Sequence, residues 1–199
     1  MSRSDSATRL AADGMEPDRG YWIRIVLIVF LPFASGYFLS YLYRAVNAVI
    51  APDLVSDIGL DASELGLLTA AYLIGFAGFQ IPLGLLLDRF GPRKVQAVLV
   101  CVGAVGALLF AFAAGKWGLS FGRMLIGIGS AGGLMAGFKA VTIWVPEQRR
   151  ALANACIMAV GGLGILTATV PAEWATEQFG WRGMFLGLVA VTLAVALFM

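Results

Sequence analysis

A charged hairpin set between two long apolar runs constrains this chain more than any other feature. It reads Gly84-Leu85-Leu86-Leu87-Asp88-Arg89-Phe90-Gly91-Pro92-Arg93-Lys94. The run before it (Leu65 to Leu87) and the run after it (Val95 to Ala114) are each long enough to cross a bilayer, which takes ~20 residues. Two membrane helices joined by so short a turn must lie antiparallel and side by side. Gly84 is expected to let another backbone come close, and Gly91-Pro92 to end one helix before the next begins. Arg89, Arg93 and Lys94 assign the turn to the cytoplasmic face, because basic residues in short loops set orientation.

Composition agrees with a lipid environment. Sixty per cent of residues are hydrophobic, 13% are charged and the mean hydropathy is +0.86, whereas soluble domains carry ~25% charged residues. The net charge of +2 says nothing about nucleic acid, and no nucleic-acid partner is expected of an integral membrane chain. With no histidine and two cysteines, Cys101 and Cys156, both inside apolar runs, neither a histidine or multi-cysteine metal site nor a disulfide framework is expected. Both cysteines are expected to be small packing residues. No cofactor is expected, and no nucleophile–base pair suggests an enzyme. The 25 glycines suit helices packed closely in a membrane.

Taken in order, residues 1–20 form a polar stretch of mixed charge without apolar residues enough for a core, expected to be a disordered cytoplasmic tail. The apolar run that follows is too long for a signal peptide and has no small-residue cleavage site near its end. Residues 21–199 then divide into six apolar spans. Helix 1 runs from about Trp22 to Ala51, bent near Pro32 and Gly36, with Pro52 at its exit. An acidic external segment from Asp53 to Glu64 follows, and Ser63 is expected to cap helix 2, which continues to Leu87. Helix 3 takes Val95 to Ala114, and Gly115 to Gly118 is an external turn. Helix 4 spans Leu119 to Val145, and Pro146 to Arg150 returns the chain to the cytoplasm. Helix 5 covers Ala151 to Ala172, Phe179 to Arg182 turns outside, and helix 6 runs on to Met199.

Charge placement supports this topology. The cytoplasmic segments collect nine basic residues, Arg3, Arg9, Arg19, Arg24, Arg89, Arg93, Lys94, Arg149 and Arg150, and the external turns two, Lys116 and Arg182. That is the positive-inside distribution for a multi-pass protein of the plasma (inner) membrane with its amino terminus in the cytoplasm.

The hairpin resembles the loop between the second and third helices of the major facilitator superfamily, whose pattern runs roughly G-x-L-A-D-R-x-G-R-K. Gly84, Leu86, Asp88, Arg89, Gly91, Arg93 and Lys94 fill it, while Leu87 stands where a small residue is usual and Pro92 adds one residue before the basic pair. Three further stretches repeat the likeness. Arg123, Gly127 and Gly129 are similar to the family's R-x-x-x-G-x-G pattern on helix 4. Trp144-Val145-Pro146 with Arg149, Arg150 and Ala151 resembles its W-x-P…R-x-x-A turn. Gly180-Trp181-Arg182 with Phe185 resembles its G-W-R-x-x-F start to helix 6. The resemblance covers Ile25 to Met199 and implies an all-α integral membrane fold, six transmembrane helices as two inverted three-helix repeats. Such a bundle is the amino-terminal half of a family member. The chain is therefore expected to be either a fragment or a half-size product. Its partner would be a second six-helix half, in the same full-length chain or in a dimer.

Ionisable residues within a membrane are costly and are functional candidates by default. Here they are Arg44 on helix 1 and Arg123 and Lys139 on helix 4. At ~1.5 Å per residue, Arg44 lies ~12 Å below the external end and Lys139 ~10 Å above the cytoplasmic end. No Asp or Glu is expected inside any span. The cations then need either a substrate anion, held most strongly by Arg, or backbone carbonyls, water or carboxylates of the missing half. Tyr43, Asn47, Tyr72 and Gln80 are further candidate substrate contacts, with interhelical hydrogen bonds as the equal alternative.

The stretch from Tyr37 to Asn47 is similar to the N-Y-x-D-R-x-N segment of the family's anion:cation symporter branch, which implies that Arg44 contacts an organic anion. Tyr43 stands where that segment has the aspartate thought to carry the coupling proton. The resemblance implies a conformational role for Gly84, Asp88, Arg89, Gly91, Arg93 and Arg123, that of Arg123 being structural or proton-coupling rather than substrate contact. Asp88 would latch the cytoplasmic side against the other half, without an intramolecular partner here. The reading is a secondary active transporter of a small anionic or zwitterionic solute by alternating access. The alternatives are a peptide or amino-acid transporter and a half-size membrane scaffold or regulatory protein that transports nothing.

Overall fold

The computed structural model describes residues 19–199, so the expected amino-terminal tail lies almost wholly outside the described residues. The described chain is helical throughout, without a strand. Helix α1 (Arg19–Ile25) passes through a π-helical turn (Val26–Phe30) into α2 (Leu31–Val49). There follow α3 (Ala51–Ile58), α4 (Ala62–Gly78), α5 (Gln80–Phe90) and α6 (Pro92–Phe112). The chain closes with α7 (Lys116–Ser130), α8 (Gly132–Trp144), α9 (Glu147–Thr167) and α10 (Val170–Phe198).

Prolines decide most of the breaks. A proline has no N–H for the carbonyl four residues earlier, and its ring crowds that carbonyl. Four residues before Pro82 is Gly78, where α4 ends; four before Pro171 is Thr167, where α9 ends. Four before Pro32 is Ile28, within the π-helical turn, where the bonding lengthens so that Leu31 N–H reaches Val26 O. The expected bend near Pro32 therefore takes the form of a π turn just ahead of it. Pro52 does not leave helix 1 for a loop: it opens α3, so much of the acidic external segment is helical.

Among the described residues, four helical stretches are long and apolar enough to cross a membrane: Pro92–Phe112, Lys116–Trp144 (α7 and α8 taken together), Glu147–Thr167 and Val170–Phe198. The α4–α5 pair passes the same test if read as one span bent by 41°. The expected Phe179–Arg182 turn survives as a kink inside α10, where Gly180 has φ +70°. The hairpin turns at Gly91, φ +80°, a left-handed value that favours glycine.

Helix α7 packs against both α4 and α6, α2 against α9, and α10 against α6. Backbones meet where glycines leave room. A Cβ on Gly127 would sit 2.1 Å from the Tyr72 carbonyl oxygen, and one on Gly106 2.7 Å from Ile126 N. Around these contacts a core forms from Leu68, Phe110, Leu119, Ile126 and Phe185, all fully buried.

Three expectations need correction. Asp61, not Ser63, caps helix 2: its carboxylate accepts from Glu64 N–H at 2.8 Å while Glu64 accepts from Asp61 N–H at 3.1 Å, a reciprocal box. Gly84 admits no neighbouring backbone; nothing described lies within 4 Å of a Cβ built there. Cys101 and Cys156 are exposed on the surface of this chain, because both fall on helix faces turned away from the core.

Candidate functional site

Arg44 sits in the penultimate turn of α2, exposed. Its guanidinium carbon lies 5.0 Å from the centroid of the Phe76 ring, 5.5 Å from that of Tyr41 and 5.7 Å from that of Tyr72. Tyr41 comes from the preceding turn of the same helix, while Tyr72 and Phe76 are stacked one turn apart on α4. Rings attract the cation through their faces and leave its planar fork of N–H donors uncommitted. Among the described residues no carboxylate pairs with Arg44.

Arg123 behaves differently. It is 1% exposed, its Nε donates to Asn47 Oδ1 at 3.0 Å and its Nη1 donates to the Tyr43 carbonyl at 2.8 Å. Phe110 and Tyr72 rings flank it at 5.5 and 5.9 Å. A buried guanidinium held by neutral oxygens and rings ties α7 to the turn of α2 that carries Arg44. Asn47 is thereby occupied as an acceptor, and its Nδ2 faces Thr69 Oγ1 at 3.4 Å.

Tyr43 turns the other way. Its hydroxyl shares a 2.9 Å hydrogen bond with Thr192 Oγ1 on α10, and the residue is 2% exposed. Tyr72 is buried, its hydroxyl 3.4 Å from the Ser40 carbonyl, with its ring facing both arginines. Gln80 is half-buried at the start of α5, just past the bend.

Lys139 lies on α8 and makes an ion pair with Asp88, near the C-terminal end of α5. This corrects two expectations: Lys139 has its carboxylate within this chain, and Asp88 has an intramolecular partner. The physical reason is the reach of the lysine stem, which lets the ammonium extend from within α8 to Asp88 on α5. Asp88 stays largely exposed, so the pair is accessible.

Arg89 lies over the Phe90 ring at 5.3 Å. Arg93 donates from Nε to the Met199 carbonyl. Gly84, Arg89, Gly91 and Arg93 thus gather at one end of the bundle with Asp88 and Lys139, while Arg44, Tyr72, Asn47 and Arg123 form a second cluster further along it. Sequence reasoning missed Tyr41, Phe76 and Thr192. The first two had a signal: Tyr41 stands three residues before Arg44 and Phe76 four after Tyr72, spacings that share a helix face.

Apolar helices, among them stretches of membrane length, that carry Arg44 and Arg123 without a carboxylate paired to either, among the described residues, have the character of an integral membrane bundle. The chain belongs to the Major Facilitator Superfamily, whose family model matches residues 33–199. It is 33% identical over 157 residues to the probable sulfoacetate transporter SauU of Cupriavidus necator, covering 79% of this chain and 36% of that one. It is 31% identical over 160 residues to the uncharacterized transporter YybO of Bacillus subtilis, covering 80% and 37%. To the 4-hydroxybenzoate transporter PcaK of Pseudomonas aeruginosa it is 29% identical over 199 residues, covering 99% and 43%. The chain spans less than half the length of these relatives.

Proposed function

We propose that this chain is the amino-terminal six-helix half of a secondary active transporter. Residues 19–49 and the bent α4–α5 pair would each form one span, giving six with both ends cytoplasmic. It would carry a small organic anion by alternating access against a second six-helix bundle. Arg44 is the anchor: its fork would pair with an acidic group of the solute, with Tyr41, Tyr72 and Phe76 walling the site and Gln80 bordering it. The single observation carrying this reading is that Arg44 is exposed beside three aromatic rings yet has no carboxylate partner among the described residues. The names of the relatives point the same way, since sulfoacetate and 4-hydroxybenzoate are both organic acids.

Asp88 would act as a stand-in anion for Lys139. While the pair is closed, Lys139 is withheld from the site; when it opens, Asp88 becomes free to engage the other half as a latch and Lys139 can approach the solute. Tyr43 offers no carboxylate for a coupling proton, and its hydroxyl is committed to Thr192, so a proton-driven cycle would need groups outside this half.

The test is Arg44→Ala in the full-length protein, measured as uptake of a panel of radiolabelled organic acids in cells, with insertion followed by a carboxy-terminal fluorescent tag. Uptake should fall by at least 10-fold at unchanged insertion, since a charge-assisted pair is worth about 1.5–3 kcal/mol. Unchanged uptake would remove Arg44 from the site, and no uptake of any acid by the wild type would favour the scaffold reading.

A further inference from the structure

A groove at the end of the bundle away from Arg44 has no part in this reading. It encloses about 290 Å³ between the start of helix 1, the end of α8 and the start of α9. Its walls are apolar, with Val29, Phe30, Val145, Leu152 and Cys156 among them, and Trp22 and Arg149 stand as its polar-tipped members. The π-helical turn contributes Val26, Val29 and Phe30, so the local change in helix winding shapes the groove, a frequent association of π turns with binding sites.

The mouth is built. Tyr21 donates from its hydroxyl to the Trp144 carbonyl at 3.2 Å, and Arg150 from Nε to the Val145 carbonyl at 3.0 Å, which hold the three segments together. The Arg149 guanidinium lies 4.5 Å from the Trp22 ring centroid. It makes no hydrogen bond or ion pair with another described residue. Glu147, nearby in the first turn of α9, is exposed and does not neutralise it. An indole-stacked, uncommitted guanidinium at the rim of an apolar trough matches an amphiphile with an anionic head.

We infer that this groove binds an anionic phospholipid of the cytoplasmic leaflet, its phosphate on Arg149 and one acyl chain along the trough. The leaflet follows from the orientation proposed above; the site itself does not depend on Arg44 or on any solute. Basic pockets between helices on that side suit such head groups, and Trp22 sits where indoles favour the membrane interface.

The experiment uses the full-length protein in phosphatidylcholine nanodiscs, titrated with phosphatidylglycerol carrying brominated acyl chains. The Trp22 signal is taken as the difference in fluorescence between wild type and Trp22→Phe. Quenching should need about fivefold less brominated phosphatidylglycerol than brominated phosphatidylcholine, the effect of one basic residue near the head group. Arg149→Gln should abolish that preference, Arg93→Gln should leave it intact, and Cys156→Phe, which fills the trough, should suppress quenching by either lipid. Equal quenching by both lipids in the wild type would overturn the inference, as would a preference that survives Arg149→Gln or falls equally with Arg93→Gln. A Trp22 signal immune to both lipids would mean that protein covers the groove, whether the rest of the chain or a second copy, and would overturn it too.

Discussion

Arg44 and Arg123 have one kind of side chain and opposite circumstances. Arg44 stands exposed among rings, with its donors free. Arg123 is enclosed and spends its donors on Asn47 Oδ1 and the Tyr43 carbonyl. Removing the first should cost transport; removing the second should cost structure. Arg123→Gln leaves a buried carbonyl and a part-buried amide oxygen without their charged donor, which destabilises by roughly 2–4 kcal/mol. Thermal unfolding of the purified full-length protein, followed by intrinsic fluorescence, should show a midpoint lowered by several degrees. Tyr72→Phe removes only a 3.4 Å hydroxyl contact and keeps the ring between the arginines. Its midpoint should therefore shift by less than about 1 kcal/mol equivalent, and any larger shift would mean that the hydroxyl matters more than its length suggests.

At the scale of the helix, glycine has two meanings in this chain. Gly127 is pressed against the Tyr72 carbonyl, so Gly127→Ala forces α4 and α7 apart. Overpacking of this kind costs about 1–3 kcal/mol, read as lower folded yield and a lower midpoint. Gly84 has open space around it, so Gly84→Ala should leave the stability of an isolated half unchanged. A loss of transport in that variant would locate the need for a small residue in the contact with the second bundle.

How much of this was legible in the sequence also separates by element. The proline breaks follow from one steric rule and the hairpin from Gly91-Pro92. The cap at Asp61 was legible too, since Asp61 and Glu64 stand at capping-box spacing, but Ser63 drew the assignment two residues too far. The lysine pair was not legible. Asp88 and Lys139 are 51 residues apart, and from the sequence a helical rise is expected to put the Lys139 backbone within a membrane span, away from Asp88. Only the flexible stem brings its ammonium to Asp88, and no periodicity encodes where a stem points. Likewise the aromatic surround of Arg44 joins α2 to α4, a pairing that neither helix announces alone.

Across the whole molecule, polar clasps sit at both ends of an apolar bundle. Asp57 accepts from Trp181 Nε1 at 2.9 Å and lies 3.5 Å from Arg182 Nη1, while Arg182 also donates to the Ala113 carbonyl at 3.3 Å. Lys116 pairs with Glu64 at 2.8 Å. Both clasps join segments that the sequence reading assigns to the external side, and Asp88–Lys139 closes the other. These are exposed pairs that solvent screens, so they steer conformation more than they hold the fold. Asp88→Asn and Lys139→Gln should accordingly leave the unfolding midpoint nearly unchanged. Each should alter the rate of transport, and the double variant should show less than the sum of the two effects. Additive effects would mean that the pair does not act as a unit.

The anchor that Arg123 finds at position 43 is a main-chain oxygen, and every amino acid supplies one. The Arg123 bond between α2 and α7 therefore does not depend on the side chain at position 43, which packs separately in the core and bonds Thr192 on α10. A carboxylate or a phenol at this point would leave that main-chain anchor unchanged, so the side chain and the joint can be altered separately.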